Sequence, residues 1–448
     1  VAVSTISYSA MTLVDTLFVS WLSPASVAGV GVAGVIGFTL LCFPLGLMQA
    51  VKVLVSQAVG AERHEDIGAH LRAGLLLAVT MGLAVAALAQ AAVPLLDLLA
   101  SSHEAGALAG TWLRIRLLSA PVFLAFVALR ETVYGTGDTR SPMIASLIAN
   151  LANIALCALF VLVMEMGVAG AAWATVLANC VEAAVLLIAR FDLVRRSLSR
   201  AARRQPAQVA AVWNMGLPTG GQFVLEVGSF TLLTFMVSAM SEVEMAAHQI
   251  VLQVMHAAFL PAQAVAEASA VLAGQAVGAN RDDLVGGIAL RALALAGGYA
   301  VLSTMGSLFG ADLVLSAFTD DPALMRAGVG LMHVGALFLI TDAANMVARA
   351  VLRGAGDVGF AATVGITCAW LMTPPLTWLL GYHFELGVRG GWLGLCAEIA
   401  IGTSILWWRL RRGDWRAAAE RSRAVMHLRD HAPEARAVVE PSAATPAT

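Results

Sequence analysis

The sequence predicts an all-α, polytopic membrane protein of twelve transmembrane helices arranged as two parallel six-helix repeats. Three observations predict it. Apolar runs of about 20 residues or more, long enough to cross a hydrocarbon core of roughly 30 Å at 1.5 Å per residue, recur along the chain. Several short motifs return at a fixed offset of 218 or 219 residues. Successive connections alternate between basic and acidic. Composition agrees, with 59% of residues hydrophobic, 12% charged, a mean hydropathy of +0.81 and one lysine, Lys52.

Span 1 (1–22) passes quickly into span 2 (26–50), which is followed by Arg63. Span 3 (70–96) leads to Asp97 and Glu104, and span 4 (107–133) to Arg140. Span 5 (141–163) is followed by Glu165, and span 6 (167–189) opens a stretch with Arg190, Arg195, Arg196, Arg200, Arg203 and Arg204. Span 7 (212–240) leads to Glu242 and Glu244, span 8 (245–275) to Arg281, and span 9 (285–310) to Asp312, Asp320 and Asp321. Span 10 (325–348) is followed by Arg353, span 11 (358–381) by Glu385, and span 12 (388–410) closes on Arg409, Arg411, Arg412 and Arg416. By the positive-inside bias both termini are cytoplasmic, as an even number of spans requires.

Four segments follow: an N-terminal six-helix lobe at 1–189, a cytoplasmic linker at 190–211 lying at the anionic leaflet, a C-terminal six-helix lobe at 212–410, and a cytoplasmic tail at 411–448. The tail is rich in Ala, Arg and Pro and is expected to be a frayed amphipathic helix, then disordered. Val1 is not an initiator Met, so further N-terminal residues are expected, and no cleavable leader is visible. Cys42, Cys157, Cys180, Cys368 and Cys396 all lie in apolar runs and read as packing residues.

The repeat is visible in three places. Val55-Ser56-Gln57-Ala58-Val59-Gly60-Ala61 returns as Ala273-Gly274-Gln275-Ala276-Val277-Gly278-Ala279, at offset 218. Arg130 through Gly135-Thr136-Gly137-Asp138 returns as Arg349 through Gly354-Ala355-Gly356-Asp357, at offset 219. Thr16, Val19, Ser20 and Ser23 match Thr234, Val237, Ser238 and Ser241, again at 218. An even number of helices per half gives both halves the same sense in the membrane, so a central path is expected between them. Gly60, Gly278, Gly135, Gly137, Gly354 and Gly356 are read as hinge or turn positions.

Three acids, Asp15, Glu226 and Asp342, stand near the middle of spans 1, 7 and 10. A carboxylate there costs about 2.5 to 3.5 kcal/mol by insertion scales, so its presence points to use. A carboxyl group withdrawn from water binds a proton more readily, and it can hold a proton or a cation in competition. Glu226 and Asp342 belong to one half and are expected to converge, on a proton or a transient sodium ion. Gln49 and Glu267 face each other in the repeat and are expected to line one water-filled path. Glu182 and Glu398 read as satisfied or snorkelling acids near an interface, His248 as a packed residue, and Lys52 as a snorkelling one. Arg114 and Arg116 either snorkel or neutralise acids of an outer vestibule.

These residues carry a family resemblance. Val14-Asp15-Thr16-Leu17-Phe18-Val19, the two Gln-Ala-Val-Gly-Ala turns, Ala246-Ala247-His248-Gln249 and the paired Gly-Asp turns resemble the multidrug and toxic compound extrusion (MATE) transporters, over about residues 8–410. The three acids match those of the NorM-like branch. The resemblance implies a proton- or sodium-driven antiporter that exports cationic, amphiphilic compounds by alternating access. One departure stands out: where the family pairs the first-helix Asp with Asn-x-x-x-Asn or Asn-x-x-x-Asp in helix 5, this chain has Asn153 and Cys157, and Asn150 is expected to compensate.

Other classes fit less well. A flippase for lipid-linked saccharides shares the architecture, but an anionic headgroup asks for basic residues at mid-membrane, where this chain is acidic. A membrane-embedded enzyme fits less well still, with no His-Glu-x-x-His, Gly-x-Ser-x-Gly or Walker-type motif, and the lack of a nucleotide-binding domain excludes a self-contained ATP-driven pump. No cofactor and no nucleic acid are expected. Small organic cations, the coupling ion (H+ or Na+) and the lipid bilayer are the expected partners of a monomer in a bacterial-type inner membrane.

Overall fold

The computed structural model describes residues 2–99, 102–198 and 207–427. Arg200, Arg203 and Arg204 of the predicted linker and the predicted disorder at 441–448 lie outside these residues. The described chain is helical, with α1 (Ala2–Ser20), α2 (Pro24–Gly60), α3 (His64–Leu99), α4 (His103–Leu118), α5 (Ala120–Gly135), α6 (Arg140–Cys157), α7 (Gly167–Ala189) and α8 (Phe191–Ser197) in the first half. The second half holds α9 (Ala207–Ser238), α10 (Glu242–Gly278), α11 (Asp283–Phe309), α12 (Ala311–Ser316), α13 (Pro322–Gly354), α14 (Val358–Leu376), α15 (Gly387–Arg412) and α16 (Arg416–His427). Helices α6 and α14 each run on into a π-helical segment, Ala158–Val163 and Thr377–His383.

Ten helices, counting α6 and α14 with those segments, are long and apolar enough to cross a membrane. Helices α4 and α5, bent by 48°, make an eleventh when taken as one span, and the 19-residue α1, apolar over Met11–Ser20, stands where the sequence places the remaining span. The bend has a local cause: Pro121 lacks the N–H that would bond the Leu117 carbonyl, and its ring crowds that carbonyl. Ser119 Oγ donates instead to Arg116 O at 2.8 Å. Side chains such as Val163 (74% exposed) and Leu302 (71%) form the lipid-facing surface.

The repeat is written into backbone detail. Ser23 and Ser241 cap α2 and α10, each accepting a backbone N–H three residues on. The two π-helical segments close on left-handed Glu165 and Glu385, followed by left-handed Gly167 and Gly387. Asp138 accepts from Arg190 Nη1 at 2.6 Å, and Asp357 from Arg409 Nε at 2.6 Å. Both pairs are 52 residues apart, and Arg190 and Arg409 stand at the same offset as the aspartates they bind.

Helices α2 and α10 are each 37 residues long, and α2 extends ten residues past its predicted end at 50. Residues 51–58 are all buried against protein, and the polar ones that would have ended the span, Lys52 and Gln57, find partners there. The two helices cross at the arginine-rich end of the bundle, hereafter the basic end. A methyl group at Gly60 would run into the Gln275 carbonyl, and one at Gly278 into the Gln57 carbonyl, so only glycine permits the crossing. Hydrogen bonds echo the symmetry: Gln57 Nε2 donates to Gly354 O at 3.1 Å, and Gln275 Nε2 to Gly135 O at 3.5 Å. Gly137 and Gly356, with φ of +88° and +90°, make the turns beside this junction.

Helix α16 corrects the expectation of a frayed tail. Trp415, Ala418 and Ala419 are buried, Arg423 pairs with Asp282 at 2.7 Å, and the Ser422 hydroxyl donates to Gln57 Oε1 at 2.6 Å. Burial of one apolar face and a partner for each of these polar groups hold the helix across the crossing.

Candidate functional site

Each half encloses a cavity. The first-half cavity, of about 560 Å³, lies among α1, α2, α4 and α5, and Val227 of α9 reaches it from the second half. Its wall is largely apolar, with Val30, Phe38, Trp112, Leu117 and Phe123, and its charged residues are Asp15 and Arg116. Asp15 is buried and accepts from Thr175 Oγ1 at 2.6 Å, Asn153 Nδ2 at 3.1 Å and Cys157 Sγ at 3.5 Å. Thr175 of α7 therefore supplies the support expected from Asn150. Asn150 Nδ2 donates to Ser146 O at 3.1 Å, one turn back on its own helix. Cys157, read as a packing residue, also donates to the carboxylate. Arg116 lines the same cavity as Asp15, with its guanidinium 6.0 Å from the centre of the Trp112 ring.

The second-half cavity, of about 350 Å³, is bounded by α9, α10, α13, α14 and α15. It brings together Glu226 and Asp342, as the sequence leads one to expect, and adds Asn345, Arg349, Thr373 and Glu398. Gln49 and Glu267 both reach it at the basic end. Glu226 is held by Arg349 Nη1, at 2.9 Å and 3.0 Å from its two oxygens, and by Gln222 Nε2 at 2.8 Å. Glu398 corrects its reading as an interfacial acid: it lines this cavity and accepts from the Thr373 hydroxyl. Glu182, by contrast, sits outside both cavities and accepts from Ser146 Oγ at 2.5 Å. His248 is packed, its Nδ1 accepting from Trp392 Nε1 at 2.9 Å.

Below this cavity a chain of buried charges joins the halves. Lys52 pairs with Glu131 at 3.1 Å and, more closely, with Glu267. Glu131 is bound by Arg130 at 3.0 Å, while Arg353 lies 3.6 Å from Glu267 and donates to Gln49 Oε1 at 2.8 Å. Lys52 is 5% exposed, so it does not snorkel. Its ammonium cannot reach water past the α2–α10 crossing, and two carboxylates compensate it where it stands. Arg353, counted among the loop arginines, is likewise part of this network rather than a loop charge.

Arg349, Arg353 and Asn345 escaped the sequence reading, although a signal was present. Positions 342, 345, 349 and 353 are spaced by three, four and four residues, which is one face of a helix. Glu131 was hidden beside Arg130 at the end of span 4. Outside the membrane-spanning segments, Asp138 is held below the usual carboxylate range. Partial desolvation works against this, and hydrogen bonds from the Ser141 side chain and backbone, Arg190 and the Arg140 backbone outweigh it.

The MatE family model matches residues 1–159 and 218–379. The chain is 30% identical over 427 residues to a probable multidrug resistance protein NorM of Pseudomonas syringae pv. tomato, covering 90% of this chain and 92% of that one. A probable NorM of Deinococcus radiodurans is 28% identical over 412 residues, 90% of each chain. Among solved structures, a MOP superfamily transporter from Pyrococcus furiosus superposes with a TM-score of 0.84 at 20% identity, over 93% of this chain and 94% of that one. The eukaryotic MATE transporter AtDTX14 superposes with a TM-score of 0.83 at 18% identity, over 94% and 95%.

Proposed function

This chain belongs to the MatE family of transporters, and on that premise we propose that it is a secondary antiporter exporting cationic amphiphilic compounds in exchange for protons or sodium. The observation that carries the reading is the charge of the second-half cavity, where Glu226, Glu267, Asp342 and Glu398 face two guanidiniums, Arg349 and Arg353. Four carboxylates against these two guanidiniums and the Lys52 ammonium, which pairs with Glu267, leave one negative charge in excess inside the membrane, which an exchangeable cation would neutralise. Both cavities fall in the size range of small-molecule sites. The arginines do not favour an anionic headgroup, because Arg349 is bound to Glu226 and Arg353 to Gln49 and Glu267.

Residues 1–189 and 212–410 act as two lobes that rock about a central path, linked through 190–211. The basic end faces the cytoplasm of a bacterial inner membrane and carries both termini. In this arrangement the glycine crossing and the Lys52 network close the cytoplasmic side. A monomer suffices, since both cavities are built within one chain. Exchanging one monovalent cation for one proton moves no net charge, so the membrane potential, about 2.3 kcal/mol per charge at 100 mV, contributes only if two ions enter per substrate. Asp15 and the second-half acids are separate places for those two ions.

The test is efflux of a fluorescent lipophilic cation from energised cells or inverted vesicles, with proton and sodium gradients imposed separately. Export by the wild type under one gradient, lost in Asp15→Asn and Asp342→Asn, is the expected result. Wild-type protein that moves no cation under either gradient overturns the reading and moves the lipid-linked flippase to first place.

A further inference from the structure

We propose that α16 is a latch on the basic end: it travels with the second half and grips the first through one breakable contact, Ser422 on Gln57, which favours the closed arrangement of the lobes. The proposal goes beyond the antiport reading and rests on its rocking lobes alone. Gly413, with φ of +79°, ends α15 and lets the chain turn across the basic end. Beyond it Trp415, Ala418, Ala419 and Ser422 follow the i, i+3, i+4, i+7 spacing of one helix face.

The contacts of that face divide by half. Trp415 and Ala419 are buried in an apolar cluster with Val277, Val351, Leu352 and Leu406, all residues of the second half. Arg423 adds a two-pronged ion pair with Asp282, at 2.7 Å and 3.0 Å, and donates to Val277 O at 3.3 Å. Toward the first half, the Ser422 hydroxyl donates to Gln57 Oε1 at 2.6 Å. Gln57 is thereby held at both ends of its amide, because its Nε2 donates to Gly354 O at 3.1 Å. The repeat shows what α16 adds. Gln275, the mate of Gln57, reaches Gly135 O at the longer distance of 3.5 Å. A methyl group on Gly356 would come within 3.3 Å of Ser422 Cβ, whereas one on Gly137 would meet, among the described residues, Gln275 Nε2 alone, at 3.9 Å. One side of the pseudo-twofold junction is filled by α16, and its glutamine is held more tightly. Several apolar and charged contacts outweigh one hydrogen bond, so when the lobes part the break falls between Ser422 and Gln57. A contact made in one arrangement only biases the populations by its own worth.

The test uses the full chain with pairs of spin labels at exposed positions, read by pulsed dipolar spectroscopy. Glu65→Cys with Leu284→Cys spans the halves, and Leu284→Cys with Arg421→Cys lies within the unit assigned here. Tetraphenylphosphonium and pH are varied to populate both arrangements of the wild type. The 284–421 distance should stay constant while the 65–284 distance changes. Ser422→Ala should raise the open-to-closed ratio about two- to tenfold, the worth of one hydrogen bond. Arg423→Glu, which undocks the helix, should raise it at least as far, and adding Asp282→Arg should recover part of the closed population by restoring an ion pair. Ser422→Ala added to Arg423→Glu should change nothing more, since both act through one contact. A well-folded Ser422→Ala protein with the wild-type ratio, a 284–421 distance that changes with the lobes, or full additivity of the two changes overturns the proposal. If the wild type keeps a single 65–284 distance under every condition, the rocking lobes fail first and take the latch with them.

Discussion

Replacing Lys52 by Met tests whether the buried charge chain holds the basic end closed. The Lys52 ammonium lies 3.1 Å from Glu131 and closer to Glu267. At an effective dielectric of about 20, one such contact is worth roughly 5 kcal/mol before desolvation is subtracted. Removing one partner of a buried pair costs about 3–5 kcal/mol net, and the lower end applies here because Arg130 and Arg353 remain beside the carboxylates. Glu131 belongs to the same half as Lys52, so that contact survives when the halves separate. The Glu267 contact does not. About half the loss, roughly 1.5–2.5 kcal/mol, therefore falls on the closed arrangement alone and shifts its ratio to the open one by about ten- to seventyfold.

Spin labels at Glu65→Cys on α3 and Leu284→Cys on α11, both exposed at the basic end, report the separation of the halves by pulsed dipolar spectroscopy. Lys52→Met should add a longer-distance population. Lys52→Met with Glu267→Gln should recover part of the short one, because the second change relieves the carboxylate left behind, with a coupling of about 0.5–3 kcal/mol. A distance distribution in Lys52→Met identical to wild type would refute the reasoning, as would a double variant indistinguishable from the single.

Thr175→Val removes the 2.6 Å donor to Asp15 and should slow cation export about ten- to a hundredfold, whereas Thr175→Ser, which keeps the hydroxyl, should stay near wild type in the same efflux assay. Gly60→Ala should destabilise the closed crossing by about 1–3 kcal/mol through overpacking on Gln275, seen as a lowered melting temperature, and Gly278→Ala should do the same through Gln57. Asp138→Asn should cost about 1.5–3 kcal/mol at neutral pH through its charge-assisted bonds to Arg190 and the α6 N-terminus. Because the folded state lowers this acid's pKa, its contribution is present above the ordinary carboxylate pKa and fades as pH falls through the folded value. Melting curves of wild type and Asp138→Asn should accordingly converge only in strong acid.

What the sequence made legible is what one dimension can carry. Apolar length marks a span, so the long helices were readable while the break between α4 and α5 and the short α8 and α12 were not, and the misplaced end of α2 came from a segment whose burial is by protein rather than lipid. A charge inside an apolar run is conspicuous wherever it points, which is why Asp15, Glu226 and Asp342 stood out. Pairing is a different matter, because it depends on helix rotation and on crossings between halves. Lys52 and Glu267 are 215 residues apart, and nothing local to either says that α2 and α10 cross within reach. Glu398 looked interfacial because its span was judged by its ends, while the π-helical turn and the packing of α15 on α13 and α14 set its depth. Asp15 appeared under-supported because helix 5 was searched and helix 6, which supplies Thr175, was not.

The chemistry sits where the repeat is broken, and the scaffold where it is kept. Asp138 with Arg190 and Asp357 with Arg409, the two serine caps, the two π-helical segments and the two glycine crossings all recur at offsets of about 218 to 220, and all of them shape backbone. Inside the cavities the offset pairs unlike residues. Phe123 lines the first cavity where Asp342 lines the second, and Gln49 stands opposite Glu267. A twofold-symmetric closure needs both halves to present matching backbone at the crossing, which fixes the scaffold residues. The antiport proposed for this chain needs no such match. An apolar cavity with one carboxylate, beside a smaller one crowded with carboxylates, offers different surroundings to an organic cation and to a bare ion. Symmetry in the shell and asymmetry in the cavities are therefore two requirements of one machine, and the broken positions of the repeat are the first places to look for its substrate and ion contacts.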